Sequence, residues 1–452
     1  MSDIQKLLSQ LHNNELSRRQ FITRAVGLGL SASAAVSLAT GGRAAAAIQA
    51  TPAADREPVT VTIWSWREDD VLVWQAAAED LQETWPGLEV EVEVSDATEF
   101  GTKVSTAMQG GQGPDIITTR AGEGYFRPYA EANMFVPLTD KVPGLAEIPE
   151  GTLGQVSFGD EVLAVPFASQ VWVFYYNTQI FEEHGLTPPE TWSDLMSTFQ
   201  TLKDAGVTPL FVPAREGWVL SGYVDCIGST YLGDEFAGQL IAGEKQFTDE
   251  KFVSLLSRIK DLQPFFQEGY VGNNVPDMDA AFQSGQAAMI LYGGWAANTY
   301  IEQAPDLEFD FFLSPPDEAG EEPSSYVFVD GGYAVNAASE VQEAALELVK
   351  YSATVDYGQT FSDITQEMSS IPGVTATEEN KYLQRQIEFA EHAIQNLYRI
   401  RSPFDQGDPG ISTLLHPLMQ GLLSDQVTPE EVAQQLQEGL AQWYEPFQNG
   451  QG

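Results

Sequence analysis

The chain has 452 residues, 22 of them Lys or Arg against 65 Asp or Glu, for a net charge of −43. A surface that negative repels nucleic acid and anionic lipid at long range, which excludes both as partners. With 43% hydrophobic residues and 24 Phe there is material for large cores, and the length suggests two domains.

The chain opens with a polar lead, then Ser17-Arg18-Arg19-Gln20-Phe21-Ile22, an uncharged apolar run from Ala25 to Thr40, Arg43 and the tract Ala44–Ala47. That order looks like a twin-arginine (Tat) export signal with small residues for a signal peptidase. The run is broken by Gly27, Gly29 and several Ser, too weakly apolar for a spanning helix. We therefore expect a signal over 1–47, a flexible leader over 48–58, and a mature protein at the periplasm or outer face of the cell envelope. Residues 1–46 hold five basic and two acidic residues, leaving 17 against 63 in the mature part. The acidity reads as solubility, in a salty or acidic medium, rather than as a site. Cys226 is the single cysteine, so no internal disulfide can form and no lipid-attachment Cys follows the apolar run. It is expected to pack in the interior.

Val59–Trp64 alternates with the period of a strand, Asp69–Thr84 with that of a helix, and Leu88–Val94 is a clean apolar/acid alternation. Phe100, Val104 and Met108 mark a second helix before Gly110-Gly111, and Asp115–Thr118 a third strand. This order predicts a parallel sheet covered by helices. Strands are then expected at Val162–Val165, Val171–Tyr176, Ala287–Tyr292 and Tyr333–Asn336. Thr191-Trp192-Ser193-Asp194 carries a capping pattern for a helix ending at Gly206, and Phe252, Leu255, Leu256, Ile259 and Leu262 share one helical face. Beyond Ser339 the chain reads as mostly helix.

The chemistry of the common enzyme motifs is missing. His184, His392 and His416 are scattered, and there is no Gly-x-Ser-x-Gly elbow, no phosphate loop and no dinucleotide fingerprint. Paired carboxylates for glycoside hydrolysis cannot be identified by spacing among 65 acids, so a secreted glycosidase stays as an alternative. Tyr175-Tyr176 could suggest a ferric-ion site, but neighbours on a strand point to opposite faces. Asp405-Gln406-Gly407-Asp408 has too few oxygen ligands for calcium and reads as a turn.

Several short motifs recur in one order: Trp64-Ser65-Trp66, Pro86–Val90, Gly110–Ile116, Tyr129–Ala132, Val136–Thr139, Val165–Phe167, Phe174–Asn177, Phe181–Leu186, Pro188–Trp192, Gly285–Met289, Gly293-Gly294-Trp295 and Gly331-Gly332. Behind an export signal, this set resembles the extracellular solute-binding proteins of ABC importers, the sugar-binding family related to maltose-binding protein. The resemblance implies an α/β fold of two lobes, each a mainly parallel sheet flanked by helices, with a ligand cleft between them and a helical C-terminal third. The expected lobes are 59–166 with 290–335, and 167–289 with 336–452. The function implied is non-enzymatic capture of a sugar or oligosaccharide and its delivery to a membrane permease. A polyol, glycerophosphodiester, polyamine or ferric ion is the alternative ligand. No cofactor or metal is expected, and the protein is expected to act as a monomer.

Sugars present apolar ring faces edged by hydroxyls, so their sites need flat aromatic rings and planar hydrogen-bonding groups. Trp64, Trp66 and Arg67 lie where the first strand ends, and open α/β sheets bind ligands beyond the carboxyl ends of their strands. Arg120 follows the third strand, Gln170 and Trp172 lie where the halves meet, and Trp218 sits in a loop after a strand. Trp295 follows one glycine pair; Asp330, Gly332 and Tyr333 surround another. These eleven residues are the expected ligand set.

Overall fold

The computed structural model describes residues 56–377, 380–393 and 403–448, with Lys6, Phe21 and Arg24. The expected signal otherwise lies outside the described residues. No helix among the described residues is long and apolar enough to cross a membrane. The chain divides into two compact units: Met1–Ser169 with Val329–Asn380, and Gln170–Phe328 with Lys381–Gly452.

In chain order the strands are β1 (Val59–Ser65), β2 (Leu88–Val94), β3 (Ile116–Arg120), β4 (Ser157–Phe158), β5 (Glu161–Val162) and β6 (Val165–Pro166). They continue with β7 (Ser169–Asn177), β8 (Thr208–Phe211), β9 (Ala287–Gly293), β10 (Phe309–Phe312), β11 (Val327–Val329) and β12 (Gly331–Val335).

The first unit holds the sheet β2-β1-β3-β12-β6. β1 pairs parallel with β2 and β3, while β12 runs antiparallel to β3 and β6. The alternation read in β1 is real: Val61, Ile63 and Ser65 are buried, and Thr60 is exposed. At the sheet edge, β2 turns Glu89, Glu91 and Glu93 to solvent, charges that discourage pairing with another chain. The core under the sheet gathers Val61, Ile63, Trp74, Ile116, Tyr333 and Val335 with Leu348, Tyr357 and Phe361 from the helices Gln342–Ser352 and Val355–Thr365.

The second unit holds β10-β7-β9-β8, with β11 also pairing β7. Here β8 and β9 are parallel, and β7 is antiparallel to both β9 and β10. The helix Trp192–Asp204 begins with the expected capping box, Thr191 and Asp194 bonding each other's backbone. Tyr175 sits among Phe282, Tyr300, Phe309 and Phe311, while Tyr176 meets Phe181 and Phe312. The neighbours differ as opposite strand faces require. Cys226 is buried, which pushes its thiol up to about 12.

Both units are α/β and built from separated segments, but three features differ from the expectation. The sheets are mixed rather than mainly parallel. Residues 290–328 belong to the second unit, because β9 is paired along its length with β7, Trp172 opposite Gly293 and Tyr176 opposite Met289. Residues 336–380 belong to the first unit, because their helices bury Ala345, Leu348, Tyr357 and Phe361 in its core. Helical periodicity shows which face is buried and not which sheet it covers.

Candidate functional site

In the second unit, four aromatic residues converge. Trp172 comes from β7, Tyr292 from the end of β9, and Trp295 from the turn that follows. Trp218 lies in the first turn of the helix Gly217–Ile241 rather than in the expected loop. Trp172 is buried edge-on to the others, at 5.5 Å from Trp295, 5.9 Å from Tyr292 and 6.3 Å from Trp218 between ring centroids. Trp218 and Trp295 lie 6.5 Å apart with planes inclined by 31°, and Phe328 meets Trp295 edge-on at 6.1 Å. Trp218 is 38% exposed, unusual for a ring of its size, and Trp295 is half-buried. Among the described residues no cation lies over any of these rings.

Glycines let this cluster close. A Cβ at Gly293 would come 1.7 Å from the Trp295 ring, and one at Gly222 would come 2.4 Å from Trp172. The glycine before Trp295 therefore makes room for the indole to fold back over its own strand. Its neighbour Gly294 abuts the Gln386 side chain. Gln170, at the start of the same strand as Trp172, is fully buried.

The first unit gathers the remaining expected residues. Trp64 faces the helix Ala97–Gln109, with the Lys103 ammonium 4.1 Å from its ring centroid. Trp66 lies just beyond β1, edge-on to Phe100 of that helix at 5.3 Å, with Phe167 at 6.2 Å. The two rings thus contact one helix, as residues two apart should, although Trp66 is outside the strand. The Arg120 guanidinium covers Trp66 at 4.5 Å.

Arg67 commits four of its five N–H donors to carboxylates. Its Nη2 donates to Glu367 Oε1 at 2.6 Å, Nη1 to Glu367 Oε2 at 3.3 Å and Asp330 Oδ2 at 3.4 Å, and Nε to Asp70 Oδ1 at 3.2 Å. Burial alone would lower its pKa, but Glu367, Asp70 and Asp330 together hold it above the ordinary value. Asp70 is fully buried, and desolvation raises its pKa against the pull of Arg67 and the Ser65 hydroxyl. Arg67 is thus a structural guanidinium here.

Two more expected ligand residues are framework. Tyr333 is fully buried, its ring 4.6 Å from Trp74 and 5.0 Å from Phe167, and burial raises its pKa well above the ordinary value. Gly332 is buried in β12, where a Cβ would come 2.7 Å from Ala164. The reason is pairing: β12 is a central strand, so Tyr333 stands opposite Thr118 on one side and Val165 on the other. Asp330 lies just before β12, its side chain directed to Arg67 and its N–H bonded to Ala168 O at 2.9 Å.

Tyr292, Phe328, Asp70 and Glu367 were absent from the expected set. Tyr292 directly precedes the Gly293-Gly294 pair, a signal that was available. Glu367 gave none, since a carboxylate 300 residues from its arginine is legible only in the fold. Among the described residues no cluster of metal-ligating side chains is present. Asp405 accepts bonds from the Ser412 N–H at 2.9 Å and hydroxyl at 2.8 Å, fixing a turn before the helix Ile411–Leu423.

Comparison with known proteins accords with this geometry. The family model described as bacterial extracellular solute-binding protein matches residues 65–359. The chain is 23% identical over 330 residues to the multiple sugar-binding protein of Streptococcus mutans, covering 70% of this chain and 76% of that one. It is 22% identical over 376 residues to the mannitol-binding protein of Pseudomonas aeruginosa, covering 79% and 83%. Among solved structures, a chitin oligosaccharide binding protein superposes with a TM-score of 0.71 at 20% identity, covering 86% of this chain and 99% of that one. The solute-binding protein RafE in complex with raffinose gives 0.66 at 20% identity, with 86% and 99% covered, a likeness of fold. With two α/β units interleaved along the chain and a family match spanning most of both, this protein belongs to the bacterial extracellular solute-binding proteins.

Proposed function

We propose that the protein captures a sugar or oligosaccharide outside the cytoplasm and delivers it to the membrane permease of an ABC importer, without catalysis. The observation that carries this reading is the cluster Trp172, Trp218, Tyr292 and Trp295, with the Trp218 ring open to solvent. An indole face matches the apolar face of a pyranose, and rigid rings lose little entropy on binding. The relatives named for multiple sugars and for mannitol favour a polyhydroxylated ligand. A ligand that binds only the folded chain raises its melting temperature. A panel of monosaccharides, oligosaccharides, polyols, a glycerophosphodiester, a polyamine and ferric ion should therefore yield stabilisation by a saccharide. Stabilisation by the polyamine or iron alone would defeat the proposal.

We further propose export by the Tat pathway, on the strength of Arg18-Arg19 and the apolar run behind them. Receptors of this pathway read the arginine pair rather than charge. The variant with both arginines changed to lysine should accumulate as cytoplasmic precursor when cell fractions are probed. Undiminished export of that variant by the same route would remove the Tat assignment.

A further inference from the structure

The helix Lys381–Glu391 lies against the sheet of the second unit through Tyr382 and Arg385. Tyr382 stacks on Phe309 at 4.4 Å with its hydroxyl donating to Phe309 O at 3.0 Å, and Arg385 Nη2 donates to Phe311 O at 2.9 Å. Next to them Gln386 is fully buried, yet neither its Nε2 nor its Oε1 has a hydrogen-bond partner among the described residues. Other buried or half-buried glutamines are engaged. Gln437 Oε1 accepts from the Phe247 N–H at 2.9 Å, Gln155 Oε1 from the Val329 N–H at 3.1 Å, and Gln267 bonds the N–H and O of Val212 at 3.0 and 2.9 Å. A buried amide without partners costs the full free energy of its desolvation. Such a group calls for a partner that the folded chain alone does not supply.

Its place is beside the aromatic cluster. A Cβ at Gly294 would come 2.3 Å from Gln386 Oε1 and 2.7 Å from its Cδ, so the amide rests on the backbone between Gly293 and Trp295. Gln386, Trp295, Trp218 and Phe328 all belong to the second unit. The end of the same helix is tied to the segment before Phe328, with Ser325 Oγ donating to Phe389 O at 2.6 Å and the Ser325 N–H to His392 O at 3.1 Å. A carboxamide offers an acceptor oxygen and two N–H donors side by side. An oxyanion would use its nitrogen alone, and an ammonium or a ferric ion its oxygen alone. A hydroxyl both donates and accepts, so two neighbouring hydroxyls of a neutral sugar or polyol satisfy the whole group.

We propose that Gln386 is a specificity-determining residue of the saccharide site, its carboxamide reading a pair of neighbouring hydroxyls on the sugar held at Trp218 and Trp295. This inference rests on the sugar reading above and narrows it to a neutral, polyhydroxylated ligand. The amide is inaccessible in the present arrangement of rings. The step that opens it is displacement of the half-buried Trp295 indole, which is seated against Gly293, one residue from the amide's own contact at Gly294. Binding then supplies the partners that the amide lacks in the free chain.

The test compares the full chain with Gln386→Leu, which keeps most of the volume and removes the amide. Melting is followed without additives, and calorimetric titration uses maltose, lactose, raffinose and mannitol, each with its monodeoxy analogues, well below the melting temperature. Because the amide is unpartnered in the free chain, Q386L should melt at the parent's temperature or above it. Its affinity for the sugars that bind the parent should fall at least about tenfold, the scale of a lost buried hydrogen bond. The parent should reject at least one deoxy analogue by a similar factor, whereas Q386L should bind that analogue and the full sugar equally. Unchanged affinity in Q386L would overturn the inference and leave the sugar reading standing. So would a lower melting temperature of the free variant with the deoxy discrimination intact, the mark of an amide satisfied within the fold. Binding of none of these compounds by the parent would remove the sugar reading itself.

Discussion

Arg67→Met is expected to destabilise the first unit by about 3–5 kcal/mol, the cost of breaking a buried ion pair and leaving its partners uncompensated. Asp70 is wholly inaccessible and Glu367 nearly so, and both would lose the guanidinium that neutralises them. Chemical denaturation of the full chain reads the effect. A second variant separates charge from packing: adding Glu367→Gln to Arg67→Met removes one stranded carboxylate and should recover part of the loss. A single variant within about 1 kcal/mol of the parent would show that the cluster rearranges or takes up protons at no cost. The segments tied together by this arginine follow β1, precede β12 and follow the helix Val355–Thr365. Next to the last of these, Ser169 N–H donates to Met368 O at 2.8 Å and Ser370 N–H to Phe167 O at 3.0 Å.

Trp172→Ala is the other large effect. The ring is almost fully buried and fills the space against Gly222, Tyr292, Trp295 and Trp218, so its loss should cost about 3–5 kcal/mol of stability. Trp218→Ala should behave in the opposite sense. Its ring is already well exposed, so melting should change little while saccharide affinity falls about tenfold to a hundredfold, the usual scale for an aromatic anchor. Comparing melting with binding for the two variants assigns each ring. Normal binding by folded Trp218→Ala would move the ligand away from this cluster.

Much of the fold was legible because its periodicities are clean. The acid alternation of Leu88–Val94 marks a half-exposed strand, and Thr191 with Asp194 marks a helix start. The helix Gly217–Ile241 was not legible: it is buried over most of its first four turns and interrupted at Gly233, where φ is 77°, so it shows no apolar stripe. The short strands β8 and β10 carry too few residues for an alternation to register. For the site, Trp172, Trp218 and Trp295 were identified singly by residue type and position, and the structure brings them together. That Arg67 and Tyr333 hold contacts inside the first unit was not legible, for one reason. Position near a strand end does not say whether a side chain turns outward or inward, and at both places it turns to partners distant in sequence.

The placement of β12 sets an order of events during synthesis. It lies between β3 and β6 in the first sheet, yet it is made some 160 residues after β6. Until Val335 has left the ribosome, β6 has no neighbour and β3 has one bare edge. Domains made from one continuous segment can fold as they emerge, but here the N-terminal unit must wait for most of the chain. The second unit also closes late, since Lys381–Gly452 belongs to it. A ribosome-bound nascent chain stopped before Gly331 should accordingly be open to protease throughout residues 59–169, and one extended beyond residue 380 should be protected there.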